Sequence, residues 1–217
     1  MELEGPLACF TRPEFKTERL SYPVMTPSAA KGILEAIFWK PQFQYQIQRI
    51  EVLKPVKWFH VRRNEVESML TLDWVRRAMA DKTVRFDVEE FRDQRNMVCL
   101  RDVAYRIFAQ VKMAPEADGT DAKYRDMFRR RVERGASYSH PFLGTREFSV
   151  SRFGKPSGRP PWRGSEKIGA MLHSIEYSES GESYTWFDAQ LKNGVLEIPR
   201  EGIRLPSAAV GAGRQGR

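Results

Sequence analysis

Apolar residues recur at every third or fourth position in the stretch 26–41, TPSAAKGILEAIFWKP, which predicts an amphipathic helix packed against a core. The apolar stripe consists of Ala30, Ile33, Leu34 and Ile37. Thr26 is a suitable N-cap and Pro27 fits the first helical position, where its missing N–H costs nothing. We expect the helix to begin there and to end at Pro41, with its basic residues facing outward.

Alternation of apolar and polar residues predicts strands elsewhere. In 43–52 the alternation slips in phase near Gln48–Arg49, which indicates a bulge. After Pro55, the stretch Val61–Val66 is expected to return as the second arm of a ribbon. In Val103–Met113 every second residue is apolar, and the opposite face carries polar side chains, namely Arg106, Gln110 and Lys112.

A second helix is predicted at 121–134, with Gly135 as the residue that ends it. Its apolar seam is Tyr124, Met127 and Phe128, with the stem of Arg131. Its basic residues are Lys123, Arg125, Arg129, Arg130, Arg131 and Arg134. These charges cannot all be buried, so they either form a solvated face that complements the helix dipole or bind phosphate groups.

The remaining segments are assigned more coarsely. Leu7–Phe10 is expected to be the end of a first strand, and 11–25 a basic loop. The charged stretch 67–95 is interpreted as a surface insertion with a short helix around Leu72–Met79. Leu143–Phe153 is predicted to be a further strand.

The order strand, helix, strand, strand, helix, strand is typical of a ferredoxin-like (RRM-like) α+β domain, which we assign to residues 1–154. A Pro/Gly/Arg-rich linker follows. A small C-terminal antiparallel β domain is expected over 165–206, with a hairpin that turns at Asn193-Gly194. Residues 207–217 have the composition of a flexible tail.

The charge balance favours a polyanionic partner. The chain has 36 Lys and Arg against 28 Asp and Glu, a net charge of +8, which attracts nucleic acid first and an anionic membrane second. No apolar stretch is long enough to span a membrane and no secretory signal is visible, so a cytoplasmic protein is expected. Cys9 and Cys99 stand in no metal-binding or disulfide pattern and are expected to be buried thiols.

No motif for a hydrolase, a zinc protease or an NTPase is present, and no carboxylate grouping suits a metal-dependent nuclease. We therefore expect no cofactor and no metal. For an RNA substrate the remaining chemistry is attack of a 2′-hydroxyl on the adjacent phosphate, assisted by Lys and Tyr side chains. Of the histidines, His60 is expected to meet a ligand, whereas His140 and His173 are expected to be structural.

Five segments, in this combination and order, resemble the CRISPR-associated RAMP protein of type I-C systems over nearly the whole chain. They are ACFTRPE (8–14), MTPSAAKGILEAIFWKP (25–41), VRRNEV (61–66), FLGTREF (142–148) and NGVLEIP (193–199). The resemblance implies a RAMP fold, meaning a ferredoxin-like domain with a small C-terminal β domain. It also implies a repeat-processing endoribonuclease and Cascade subunit that cuts a CRISPR repeat hairpin at its 3′ base, without metal, and retains the 5′ handle.

The resemblance further implies a catalytic Tyr just before Trp-Lys-Pro and a Lys-His pair at the start of the second helix. These positions are Phe38, Lys123 and Tyr124 in this sequence, so only the lysine is kept. We expect Lys123 to stabilise the phosphorane and Tyr124 to position or protonate. RNA contacts are expected from Lys31, Trp39, Lys40, Arg62, Arg63, Arg129, Arg130, Arg131 and Arg146.

Two alternatives stay open. The loss of the family Tyr and His favours a non-catalytic subunit that binds the 5′ handle and supports Cascade assembly. The same basic surface could instead serve general binding of duplex DNA.

Overall fold

A computed structural model of the chain describes residues 1–15, 18–117, 119–178 and 181–204. These ranges form a mixed α/β protein with one large sheet and few helices. The strands are β1 (Glu2–Ala8), β2 (Arg19–Leu20), β3 (Phe43–Val52), β4 (Trp58–Val66), β5 (Arg92–Met113), β6 (Arg152–Gly154), β7 (Glu166–Ser178), β8 (Gly181–Lys192) and β9 (Val195–Glu197). The helices are α1 (Pro27–Ile37), α2 (Leu72–Ala80) and α3 (Asp121–Arg134).

Helix α1 starts as the sequence predicts but ends earlier. The Thr26 hydroxyl accepts a hydrogen bond from the Ala29 backbone N–H at 3.3 Å, and the predicted apolar stripe is buried. The helix stops at Ile37 rather than at Pro41, because Phe38 takes an extended backbone conformation that turns its ring into the core. The predicted end at Pro41 is therefore wrong.

The sheet is organised around β5, whose 22 residues serve two sets of neighbours. Its C-terminal half pairs antiparallel with β1 on one side and with β3 on the other. Its N-terminal half pairs with β4 and with the short parallel strand β2. The predicted slip in β3 is confirmed as a register shift between Ile47 and Arg49.

Strand β4 is one strand of a two-stranded ribbon, but its partner is the first half of β5 rather than β3. The partner differs from the expected one because the alternation in Val103–Met113 marks only the second half of a much longer strand. The insertion carries the predicted short helix, α2, and none of its residues is buried. We call β4, α2 and the first half of β5 (residues 58–99) the arm.

Two further strand predictions need correction. Leu7–Phe10 belongs only in part to β1, which ends at Ala8. Most of Leu143–Phe153 is not a strand, and only Arg152–Gly154 pairs as β6 with β1. Gly144 lies so close to β1 that an added Cβ would stand 1.9 Å from the Cys9 carbonyl oxygen, and its φ of +88° breaks an extended run.

The C-terminal strands continue the same sheet, since β9 pairs with β3 as well as with β8. Asn193 and Gly194, with φ values of 48° and 76°, form the predicted turn between β8 and β9. The linker is held against the sheet, because the Trp162 N–H donates to the Val52 carbonyl at 2.8 Å. The predicted tail, 207–217, lies outside the described residues.

Arg106, which was predicted on the polar face of its strand, is buried with two carboxylates. Its guanidinium donates to Glu51 at 2.6 Å and, through Nε, to Glu2 at 3.0 Å. It also donates to the Arg159 carbonyl at 2.7 Å. These bonds join β1, β3, β5 and the linker, and they satisfy the charges that the strands bury.

Candidate functional site

The structure brings together the three positions that the family resemblance assigns to catalysis. The ring of Phe43, at the start of β3, lies 5.7 Å from that of Phe38 and 5.1 Å from that of Tyr124, centroid to centroid. The Lys123 Nζ lies 5.9 Å from the centre of the Tyr124 ring. The end of α1 and the start of α3 therefore meet over the first residue of β3.

Lys123 is exposed in the first turn of α3, beside the partial positive charge of the helix N-terminus. The Tyr124 hydroxyl and the Lys123 Cδ both border Gly119, at 3.8 and 3.7 Å from the place where a Cβ would stand. Gly119 has a φ of +107°, which favours glycine. Lys123 has no ion-pair partner within the described ranges, so its ammonium is available to an anionic ligand.

Phe38, which stands at the position of the family's catalytic tyrosine, does not line an exposed surface, because its side chain is only 2% exposed. The guanidinium of Arg131 lies over its ring at 5.3 Å. Trp39 and Lys40, which follow it, are exposed. Phenylalanine carries no exchangeable proton, so Phe38 shapes the site without taking part in proton transfer.

Tyr45 was missed by the sequence analysis as a residue that positions this site. Its hydroxyl donates to the Phe38 carbonyl oxygen at 2.8 Å, and burial raises the pKa of this phenol. Its ring packs against Phe128 of α3. The alternation in β3 places Tyr45 on the inner face, but no sequence pattern reveals where its hydroxyl bonds.

The three consecutive arginines of α3 are engaged in different ways. Arg131 donates to the Ile37 carbonyl at 3.2 Å and so ties α3 to the end of α1. Arg129 forms an ion pair with Asp126, and the Arg130 Nε lies 3.4 Å from the Asp126 carbonyl oxygen. Arg131 therefore has a structural role in addition to any contact with RNA.

The basic residues predicted on β4 and near β6 lie in a different environment. Arg63 forms ion pairs with Glu147 and, at 3.2 Å, with Glu65. Burial raises the pKa of Glu147, but its hydrogen bonds and the nearby arginines outweigh burial and lower it overall. Arg62 and Arg146 are exposed, and neither has an ion-pair partner in the described part of the chain.

Lys31 lies on the outward side of α1, where its ammonium is 3.8 Å from Glu35. It borders a cleft of about 370 Å³ that Lys112 and His173 also line. The Nε2 of His173 bonds the Pro199 carbonyl oxygen at 2.9 Å, in line with the predicted structural role. His60 and His140 are exposed.

The predicted burial of both thiols is confirmed, since Cys9 and Cys99 are free and buried. Burial raises the pKa of Cys99 to about 11. Within the described ranges, no three His, Cys, Asp or Glu side chains form a group that could hold a metal ion. The helices there are also too short or too polar to cross a membrane.

Comparison with known proteins gives the class of the molecule. The sequence model of the family described as CRISPR-associated protein (Cas_Cas5) matches residues 1–193. The chain therefore belongs to the Cas5 family of CRISPR-associated proteins, in its Cas5d branch.

Two curated relatives match most of this chain in sequence. The CRISPR pre-crRNA endoribonuclease Cas5d of Mannheimia succiniciproducens is 41% identical over 212 residues, covering 92% of this chain and 93% of the relative. The protein of the same name from Thermus thermophilus is 40% identical over 216 residues, covering 91% and 89%.

Solved structures share the fold at lower identity. A CRISPR-associated protein matches with a TM-score of 0.65 and 22% identity, over 91% of this chain and 89% of that one. A chain of a CRISPR RNA-guided surveillance complex matches with a TM-score of 0.53 and 14% identity, over 97% and 94%. These likenesses extend across the sheet and are not limited to the helices around the site.

Proposed function

We propose that this chain is a pre-crRNA processing endoribonuclease that cuts CRISPR repeat RNA and also serves as a subunit of the Cascade surveillance complex. Both curated relatives carry the name of that activity. The observation that carries the proposal is the exposed ammonium of Lys123 beside Tyr124, at the positive end of α3. A phosphate entering there meets a cation at the positive end of a helix, beside Tyr124, whose side chain is 6% exposed.

The reaction needs no group beyond the RNA and the protein. The 2′-oxygen next to the scissile bond attacks phosphorus, the bond to the 5′-oxygen breaks, and a 2′,3′-cyclic phosphate and a 5′-hydroxyl result. Lys123 stabilises the charge on the phosphorane oxygens. Tyr124 orients the phosphate or gives a proton to the leaving oxygen, and the proton of the 2′-hydroxyl passes to solvent water.

We propose that the cut falls at the 3′ base of the repeat hairpin and that the 5′ handle is retained. Trp39, Lys40, Arg129 and Arg130 border the α1 and α3 side of the RNA path. Arg62, Arg63 and Arg146 extend it toward β4, and Lys31 toward the outer face of α1. Lys31 and Arg63 are ion-paired in the free protein, so we assign them weaker contributions than Arg62 and Arg146.

Cleavage of the cognate repeat RNA tests the proposal. Wild type should cut in EDTA, and a substrate with a 2′-deoxy nucleotide at the scissile position should stay intact. Lys123→Ala should lower the single-turnover rate by about 100-fold or more, as expected for loss of a transition-state charge contact. Lys82→Ala, an exposed lysine of the arm, is the matched control and should cut like wild type.

Equal rates for wild type and Lys123→Ala would remove Lys123 from the mechanism, and a metal requirement would overturn the scheme. Phe38→Tyr restores the hydroxyl that the family carries. If its ring edge faces the substrate when RNA is bound, this variant should cut faster than wild type. An unchanged rate would mean that this protein does not use the family's tyrosine.

The burial of Phe38 favours one second candidate, a non-catalytic subunit that binds the 5′ handle and supports assembly. Tight repeat binding without cleavage under any condition would support it. General duplex DNA binding would instead appear as a steep dependence on salt with no preference for repeat RNA.

We also propose a ferredoxin-like RAMP domain over 1–154 and a small C-terminal β domain over 165–206. The sheet order β6-β1-β5-β3 supports the first, because fourth, first, third and second is the strand order of a βαββαβ unit. The hairpins of β7, β8 and β9 support the second, although β9 links them to β3.

A further inference from the structure

Two large aromatic side chains stand exposed at the C-terminal end of α1. Tyr138 is 87% exposed and Trp39 is 53% exposed. The backbone N–H groups of Tyr138 and Ser139 both donate to the Ala36 carbonyl, at 2.9 and 3.0 Å. The loop that carries Tyr138 is therefore fixed on the last turn of the helix that Trp39 follows.

The exposure of Tyr138 does not come from a loose loop. The loop starts at Gly135, whose left-handed conformation ends α3, and the next N–H, that of Ala136, donates to Arg131 at 2.9 Å. It ends at the buried Pro141, whose carbonyl accepts from Val150 at 3.0 Å. A well-anchored backbone thus presents an aromatic ring to solvent, as binding surfaces do.

The charges around this pair of rings are basic. Lys40 follows Trp39 in the chain and Arg134 precedes Tyr138 by four residues; both are exposed, and their side chains have no ion-pair partner within the described ranges. The nearby acids are already paired, Glu35 with Lys31 and Glu133 with Lys155 at 2.9 Å. A positive surface with exposed aromatic rings suits nucleic acid better than an apolar protein partner.

Stacking also distinguishes single strands from duplexes. In a duplex the base faces are covered by their neighbours, whereas unpaired bases offer a free face to Trp or Tyr. We propose that Trp39 and Tyr138 form a stacking platform for unpaired nucleotides that adjoin the repeat hairpin, with Lys40 and Arg134 on their phosphates. The platform proposal rests on the proposed function in one respect, namely that the ligand is RNA.

The Tyr138 end of the platform lies apart from the proposed cleavage point, whereas Trp39 directly follows Phe38. Lys123 is near the start of α3 and Arg134 is its last residue, so the helix rise separates them by about 17 Å. Tyr138 should therefore affect RNA affinity and leave the chemical step unchanged. An effect on affinity alone therefore distinguishes the platform from Lys123, whose loss should lower the cleavage rate.

Binding of a repeat hairpin with an unpaired extension, compared with the same hairpin without it, tests the platform. Tyr138→Ala and Trp39→Ala should each weaken binding of the extended hairpin by roughly 5- to 150-fold, the usual effect of removing one stacked base contact. Tyr138→Ala should bind the blunt hairpin like wild type. Tyr138→Phe should keep the affinity, because stacking needs the ring and not the hydroxyl.

Trp58→Ala, an exposed aromatic of the arm, is the matched control and should change neither affinity. The single-turnover rate at saturating RNA should be the same in Tyr138→Ala and wild type. Wild-type affinity of Tyr138→Ala for the extended hairpin would overturn the platform, and so would equal losses on both hairpins. Weakened assembly with other protein subunits at unchanged RNA affinity would make the patch a protein contact instead.

A second measurement keeps the two proposals distinct. An unpaired oligonucleotide alone should quench wild-type tryptophan fluorescence, and Trp39→Phe should lose most of that quenching. Quenching without cleavage of repeat RNA would leave the platform standing and refute the processing function. Cleavage of repeat RNA without quenching would support the processing function and refute the platform.

Discussion

Helices α1 and α2 have the same kind of N-cap but lie in opposite environments, since α1 is packed in the core and α2 is exposed to solvent. Each is capped by a threonine hydroxyl that accepts from the third residue on, Thr26 from Ala29 at 3.3 Å and Thr71 from Trp74 at 3.2 Å. Helix α1 buries its apolar stripe between the sheet and α3, whereas none of the residues of α2 is buried. Local sequence starts both helices, and packing makes only one of them part of the core.

The apolar residues of the two helices show the same contrast. Leu34 of α1 is 3% exposed, while Leu72 and Met79 of α2 are 75% and 81% exposed. Within the arm, Trp74 packs edge-on against Phe86 at 5.8 Å, a small cluster of its own. Helix α2 is therefore expected to open without unfolding the main sheet.

Ion pairs differ between the regions as well. Arg106 is buried with Glu2 and Glu51 in the sheet. Arg76 and Asp73 of α2 lie 3.3 Å apart with both side chains largely in solvent. The first group has exchanged its water for protein partners, so the loss of one member leaves buried charges with fewer partners. The second keeps its water whether or not the pair forms.

The largest expected effect is from Arg106→Met. The change removes the buried cation between two carboxylates, which among the described residues keep as cationic partners only Arg49 at 3.3 Å from Glu51 and Arg159 at 3.9 Å from Glu2, and it should lower the free energy of unfolding by about 3–5 kcal/mol. Urea unfolding followed by circular dichroism measures it. Arg76→Met, the matched change in the arm, should alter stability by less than about 0.5 kcal/mol, and equal effects would refute the contrast.

Leu34→Ala should come next, with a loss of about 3 kcal/mol from the lost burial and the cavity left behind. Met79→Ala removes a side chain of similar size from an exposed position and should be close to neutral. Thermal unfolding of the two variants gives the comparison. A cost above about 1 kcal/mol for Met79→Ala would show that α2 packs against the rest of the chain.

The smallest effect is expected from the caps. Thr26→Ala should lower global stability by about 1 kcal/mol, because α1 unfolds together with the sheet. Thr71→Ala loses a similar local contact, but its cost should appear as faster amide hydrogen exchange in α2 at an unchanged unfolding midpoint. If both variants shift the midpoint equally, the arm is coupled to the core.

Much of this structure could be predicted from short stretches of sequence. The start of α1 at Thr26, the end of α3 at Gly135, the bulge near Gln48–Arg49 and the turn at Asn193-Gly194 were all predicted. The residues that determine these features lie within a few positions of them, so neighbouring backbone preferences and caps suffice. Lys123 and Tyr124 were likewise placed at the start of a helix by the sequence alone.

Only the tertiary structure determined which elements and side chains pack against one another. It paired β4 with β5, buried Arg106 between two carboxylates, turned Phe38 into the core and fixed the backbone of Tyr138 on the last turn of α1. Each of these facts depends on contacts between segments far apart in the chain. The periodicity of a segment indicates that one of its faces is buried. Which segment covers that face depends on the packing of the whole sheet.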